Sequence, residues 1–169
     1  MKKVNYPVIF AILCALQIFI SVVFRLPRIM AINILPMLIL YLPVKVDTPS
    51  GLVIAFAAGF AADFLSDGML GLTSACLLHV ALLRRPLLLA VSGREIISYK
   101  SGTPASHQHI RQMAASISIA TLLFFAIYVW VDGAGLRPFV FNAGKVAVST
   151  MTSSLASFLI AGILFADKT

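Results

Sequence analysis

Apolar runs broken by charge, proline or glycine organise the whole chain, and they predict about six short membrane spans. The first run reads from Pro7 to about Phe24, with proline at a position that a helix start tolerates. Arg25, Pro27 and Arg28 close it. The second run, Ile34 to Val44, is short and holds Pro36 and Pro43. Its length is compatible with a tilted helix, a broken helix or a re-entrant piece. Lys45, Asp47, Thr48 and Pro49 break the pattern, with Thr48 or Ser50 available as a helix cap.

A third span is expected from Gly51 to about Leu65, rich in small residues, followed by a tight turn at Asp67-Gly68. The fourth runs from about Leu70 to Val91 and is interrupted by Arg84, Arg85 and Pro86. Proline disfavours the helical conformation of its predecessor, so this helix is expected to stop or bend there, leaving Leu87 to Val91 along the interface. Ser92 to Arg111 is the long polar stretch. The fifth span, Gln112 to Val131, ends in Tyr128 and Trp130, which suit a head-group belt. The sixth covers roughly Phe139 to Phe165.

Composition points to the same solvent. Of 169 residues, 60% are apolar and 11% charged, against about half and a quarter in soluble domains. At about 20 residues each, six spans fit this length only with short loops and leave little for a soluble domain, so residues 1–169 are expected to form one integral membrane domain, all-α. Met1-Lys2-Lys3 before an apolar run resembles a signal peptide, yet hydrophobic sequence resumes at once, which favours an uncleaved first span.

The net charge of +7 is explained by topology and by anionic lipid head groups, with membrane lipid an expected partner. With a cytoplasmic N-terminus, the inner side receives Lys2, Lys3, Lys45, Arg84, Arg85, Arg94, Lys100, Arg111 and Lys168. The outer side receives Arg25, Arg28 and Arg137, with Lys145 just inside the last span. That bias puts both termini in the cytoplasm if the second run crosses; a re-entrant second run would place them on opposite sides. No basic run with interleaved aromatics is present, so nucleic acid is not an expected partner.

Candidate chemistry concentrates between Gly59 and Leu72. Asp63 sits one turn before the Asp67-Gly68 break. It reads either as an ion site with Asp67 at i,i+4 or as a hydrogen-bonding residue that secures the turn, and the second is favoured because two carboxylates need a cation between them. Span six carries Ala143, Ala147, Thr150, Ser154, Ser157 and Ala161, spaced alternately by four and three on one face. Such a stripe serves internal packing or another protein's helix. His79, mid-span, lacks a second ligand at metal spacing, and Cys14 and Cys76 read as packing residues. His107 and His109 lie in the polar loop without a third ligand. Metalloprotease, two-metal, nucleophile-elbow and phosphate-loop patterns are absent. Neither a cofactor nor a catalytic or metal site is expected.

The run Gly59-Phe60-x-x-Asp63-x-x-Ser66-Asp67-x-x-x-Gly71-Leu72, preceded by a short proline-containing span and Thr48-Pro49, resembles the MreD family of rod shape-determining membrane proteins. Leu83-Arg84-Arg85-Pro86, Ser92-Gly93-Arg94-Glu95 and Thr103-Pro104 look like the variant found in Bacteroidetes-type bacteria. One position departs: Gly71-Leu72-Thr73 stands where the variant has a histidine, closer to the general family form. The resemblance implies a non-catalytic inner-membrane scaffold of the cell-elongation machinery. Its partners would be MreC and, through it, RodA, a class B penicillin-binding protein and the MreB filament. It also implies a six-helix fold similar to the substrate-binding subunits of vitamin transporters. The residues expected to matter are Gly59, Asp63, Asp67, Gly68, Gly71, Arg85 and Pro86, with Ala147, Thr150, Ser154 and Ser157 on the partner face. The rival reading is a vitamin-type transporter subunit with a polar pocket drawing on Asn33, His79 and Asn142.

Overall fold

A computed structural model describes residues 6–23, 31–43, 46–65, 69–93, 109–133 and 137–165. They form six helices: α1 Tyr6–Val23, α2 Leu35–Leu40, α3 Thr48–Leu65, α4 Leu72–Ser92, α5 Ile110–Asp132 and α6 Phe139–Phe165. No strand occurs among the described residues. Helices α3, α4, α5 and the Phe139–Gly162 part of α6 are long and apolar enough to cross a membrane by length and composition. A helix satisfies its own backbone, which is why an apolar chain adopts this form in lipid. The 18 residues of α1 carry no charged side chain.

The second run takes the broken form. α2 has six residues, all buried, and at 1.5 Å per residue is about 9 Å long, far short of a hydrocarbon core of about 30 Å. Residues 31–34 lead into it without helical structure. Pro36 sits in its first turn, where the missing N–H costs nothing.

α4 differs from expectation at its proline. The helix continues through Pro86 to Ser92, so Leu87 to Val91 are not a separate interfacial piece. Arg84 and Leu88, on either side of the proline, are both buried, while Pro86 itself faces outward. Packing on both flanks holds the helical path across the lost hydrogen bond, as happens in membrane helices with supporting neighbours. α6 occupies the predicted span, and α5 begins two residues earlier than predicted, where the Gln112 side chain accepts the His109 N–H at 3.2 Å.

α3 packs on α4, α4 on α5 and α5 on α6, with α2 between α3, α4 and α5. Phe124, Phe125, Ile117 and Val129 of α5, Leu77 and Val80 of α4, and Ile39 and Leu40 of α2 are completely or almost completely buried. The bundle has two recognisable ends. Asp47 meets Arg85 at 3.6 Å and the Tyr41 hydroxyl donates to Met113 O at 3.3 Å, placing the starts of α3 and α5 at the Arg85 end. The α3–α4 turn and the α5–α6 turn lie at the opposite, Asp63 end. There Trp130, 44% exposed, meets Phe139 edge-on at 5.5 Å. Tyr128 instead turns inward and stacks on Phe124 at 5.6 Å.

Candidate functional site

Asp63 acts on the helix that follows its own. Its carboxylate is 3% exposed. It accepts the Thr73 N–H at 3.0 and 3.3 Å and the Ser74 N–H at 3.3 Å. These are the second and third residues of α4, whose amides have no partner inside the helix. Gly71 precedes them with φ +88°, the left-handed conformation that favours glycine, and carries no side chain to cap with. The aspartate therefore performs from α3 the capping that the local sequence lacks, and its negative charge lies at the positive end of α4.

Gly59 makes that reach possible. A Cβ there would lie 2.5 Å from Ser74 Cα and 2.7 Å from Ser74 N, so only glycine lets the backbones of α3 and α4 meet at this level. The Ser74 hydroxyl donates across the same gap to Phe56 O at 3.4 Å. Gly59, Asp63 and Gly71 thus come together in one turn. Asp67 and Gly68, assigned to the same feature, lie outside the described residues.

A second polar assembly surrounds the broken segment. The Gln17 amide donates to Ile32 O at 3.1 Å and accepts the Ile34 N–H at 2.8 Å, the paired pattern of a neighbouring strand. Ser149 and Ser153 of α6 accept the N–H groups of Ala31 and Asn33 at 3.1 and 3.0 Å, and Ser153 donates to Ala31 O at 3.3 Å. Asn33 Oδ1 accepts the Leu35 N–H at 3.0 Å. Ser149 lies ten residues into α6, about 15 Å along it, so this unwound backbone is held at mid-depth. At the far end of α2, the Arg84 guanidinium donates to Leu40 O at 3.0 Å, to Leu42 O, and to Pro43 O at 3.2 Å. Both ends of the half-helix are satisfied by side chains, the condition under which irregular backbone survives at membrane depth.

These contacts put a different line of α6 inside the bundle, so most of the predicted small-residue stripe does not serve internal packing. The buried polar line is Asn142, Lys145, Ser149, Ser153 and Ser157, continued by Ala161. Of the predicted stripe only Ser157 and Ala161 are on it; Ala143 and Ala147 are exposed, and Thr150 and Ser154 are partly exposed. Alternate steps of four and three suit helices running nearly parallel. Steps of four follow the inclined ridge of a helix that crosses its neighbours at an angle. Ser154 is occupied by its own helix, donating to Met151 O at 3.1 Å.

Arg85 and Pro86 are exposed, and it is Arg84 that secures the end of the half-helix. Lys145 and Arg137 converge on Asp132 Oδ2 at 3.1 and 2.8 Å, so the nearly buried lysine is neutralised. The three polar residues of a transporter-type pocket do not converge. His79 is exposed with Nδ1 2.8 Å from Ala75 O. Asn33 is engaged with the α2 start, and Asn142 lies beside Gly133 at the Asp63 end. Cys14 is partly buried and Cys76 buried, both as free thiols. No group of three or more His, Cys, Asp or Glu among the described residues is placed to hold a metal ion.

Gln17, Ser149 and Ser153 went unassigned in the sequence reading, and Arg84 was read only as an inner-side cation within the Leu83-Arg84-Arg85-Pro86 motif. Gln17 had a usable signal, because a lone amide in an otherwise apolar span needs a partner. Comparison with family models, characterised proteins and solved structures finds no match for this chain.

Proposed function

We propose that this chain is a non-catalytic scaffold of the bacterial inner membrane, MreD-like. It would bind an MreC-like protein and, through it, support RodA and a class B penicillin-binding protein in cell elongation. The observation that carries the reading is the use made of Asp63. The acidic residue of the most distinctive motif has both oxygens on backbone amides of α4. A carboxylate so committed shapes a turn and is poorly placed to work on a substrate. The reading also draws on the motif's resemblance and on outward apolar faces, such as Val53, Phe56, Phe60 and Phe64 of α3, which offer surface to lipid or to a neighbouring helix. In the proposed topology the Arg85 end faces the cytoplasm, following the positive-inside bias.

Depletion in the parent bacterium tests it. Rods are expected to become round, and an MreC-like protein is expected to co-purify with the tagged chain from native membrane. Unchanged cell shape after complete loss contradicts the proposal.

A further inference from the structure

We infer that the Arg85 end carries a binding notch for the phosphate of an anionic phospholipid head group, built on Arg84 and Arg85. Arg84 is 6% exposed and fixed by carbonyl oxygens of Leu40, Leu42 and Pro43. Those acceptors are dipoles, and no carboxylate pairs with this guanidinium among the described residues. Its Nε and Nη2 are engaged, while Nη1 bonds to no described residue. Arg85, next along α4, has a half-exposed side chain whose partner, Asp47, is 3.6 Å away and itself 80% exposed. A stretched pair open to solvent leaves most of the Arg85 donors available. Arg84 and Arg85 are successive in α4, one held rigid and one free to adjust, and guanidinium donors suit the oxygens of a phosphate diester.

Depth and charge both favour lipid as the source of that phosphate. α4 continues for eight residues past Arg84, about 12 Å, through apolar Leu87 to Val91. The two arginines therefore lie beneath the end of the span, from where the half-exposed Arg85 side chain reaches head groups by snorkelling. Among the described residues this end carries three cations, Arg84, Arg85 and Arg111, against one acid, Asp47, so pairing among them leaves cations in excess. Basic sites between helices on one membrane face recognise anionic head groups through this excess. The inference is independent of which protein the chain binds.

Native mass spectrometry of the full chain, delipidated in detergent and titrated with phosphatidylglycerol or phosphatidylcholine of matched acyl chains, tests it. Two basic contacts predict retention of phosphatidylglycerol about ten- to thirtyfold stronger, falling to within a few-fold in Arg85→Gln. Arg85 supports none of the half-helix carbonyls, so this variant keeps the wild-type melting temperature. Arg84→Gln is expected to lose the preference together with some stability. Equal retention of both lipids, or an undiminished preference in Arg85→Gln, overturns the inference. Displacement of the lipid by millimolar inorganic phosphate reassigns the site to a free phosphate. Displacement by a polyglutamate peptide reassigns it to an acidic protein segment, and either result overturns the lipid assignment.

Discussion

Replacing Asp63 by alanine removes the acceptor of three hydrogen bonds, from the Thr73 and Ser74 amides, at a site where the carboxylate is 3% exposed. Loss of a helix cap costs about 0.5–2 kcal/mol. Two buried amides left without partners cost about 1–3 kcal/mol each. The cap and amide terms describe the same bonds and do not add, so the expected destabilisation is that of the two amides, about 2–6 kcal/mol. Asp63→Asn retains one oxygen acceptor but loses the charge at the α4 start, and is expected to cost about half as much, by the difference between charged and neutral acceptors. Denaturant titration in lipid bicelles, followed by the fluorescence of Trp130, measures the global loss. Hydrogen exchange locates it: Thr73 and Ser74 amides are expected to be protected in the wild type and to exchange rapidly in Asp63→Ala, while Val129 on α5 is unaffected. A variant within about 0.5 kcal/mol of wild type, or one with Thr73 still protected, refutes the capping role.

Gly59→Val places a branched side chain against the Ser74 backbone and is expected to destabilise by at least about 1–3 kcal/mol, whereas Gly144→Ala, which meets open space within α6, is expected to stabilise by about 0.5–1 kcal/mol; the same titration checks both. Ser149→Ala with Ser153→Ala strands the Ala31 and Asn33 amides and is expected to cost about 2–5 kcal/mol, against no measurable change for Ser154→Ala. Arg84→Gln is expected to loosen α2, seen as faster exchange at Tyr41 and Leu42, and Arg85→Gln leaves those amides protected. Cys76, completely buried, is expected to resist maleimide in the folded chain and to react after denaturation.

Helix count and the position of α6 were legible because long apolar runs interrupted by charge suit helices, whereas the strands of a membrane barrel need only about 9–11 residues. The role of Asp63 was legible in outline, since a carboxylate one turn before a Gly-containing break has backbone amides within reach. What it caps was not, because the acceptor and its amides belong to two helices whose approach depends on Gly59. The α6 face escaped for a related reason. Small residues at steps of three and four fit several faces, and the crossing of α6 over residues 31–34 decides which is buried. Pro86 misled because a local rule about its predecessor was overridden by Arg84 and Leu88 packing on both sides of it. Whether the second run was tilted, broken or re-entrant depended on Gln17, Ser149, Ser153 and Arg84, which reach it from three other helices.

The central claim is that these helices cross a bilayer with a broken second segment enclosed among them. Single cysteines introduced into a cysteine-free chain, labelled from each side of sealed vesicles, test it most directly. Labels at Ser92 and His109 are expected from one side only, labels at Met69 and Arg137 from the other side only, and Ile32, Leu38 and Ile39 are expected to resist both. Labelling of Ser92 and Arg137 from the same side, or ready labelling of Leu38 and Ile39, would contradict it.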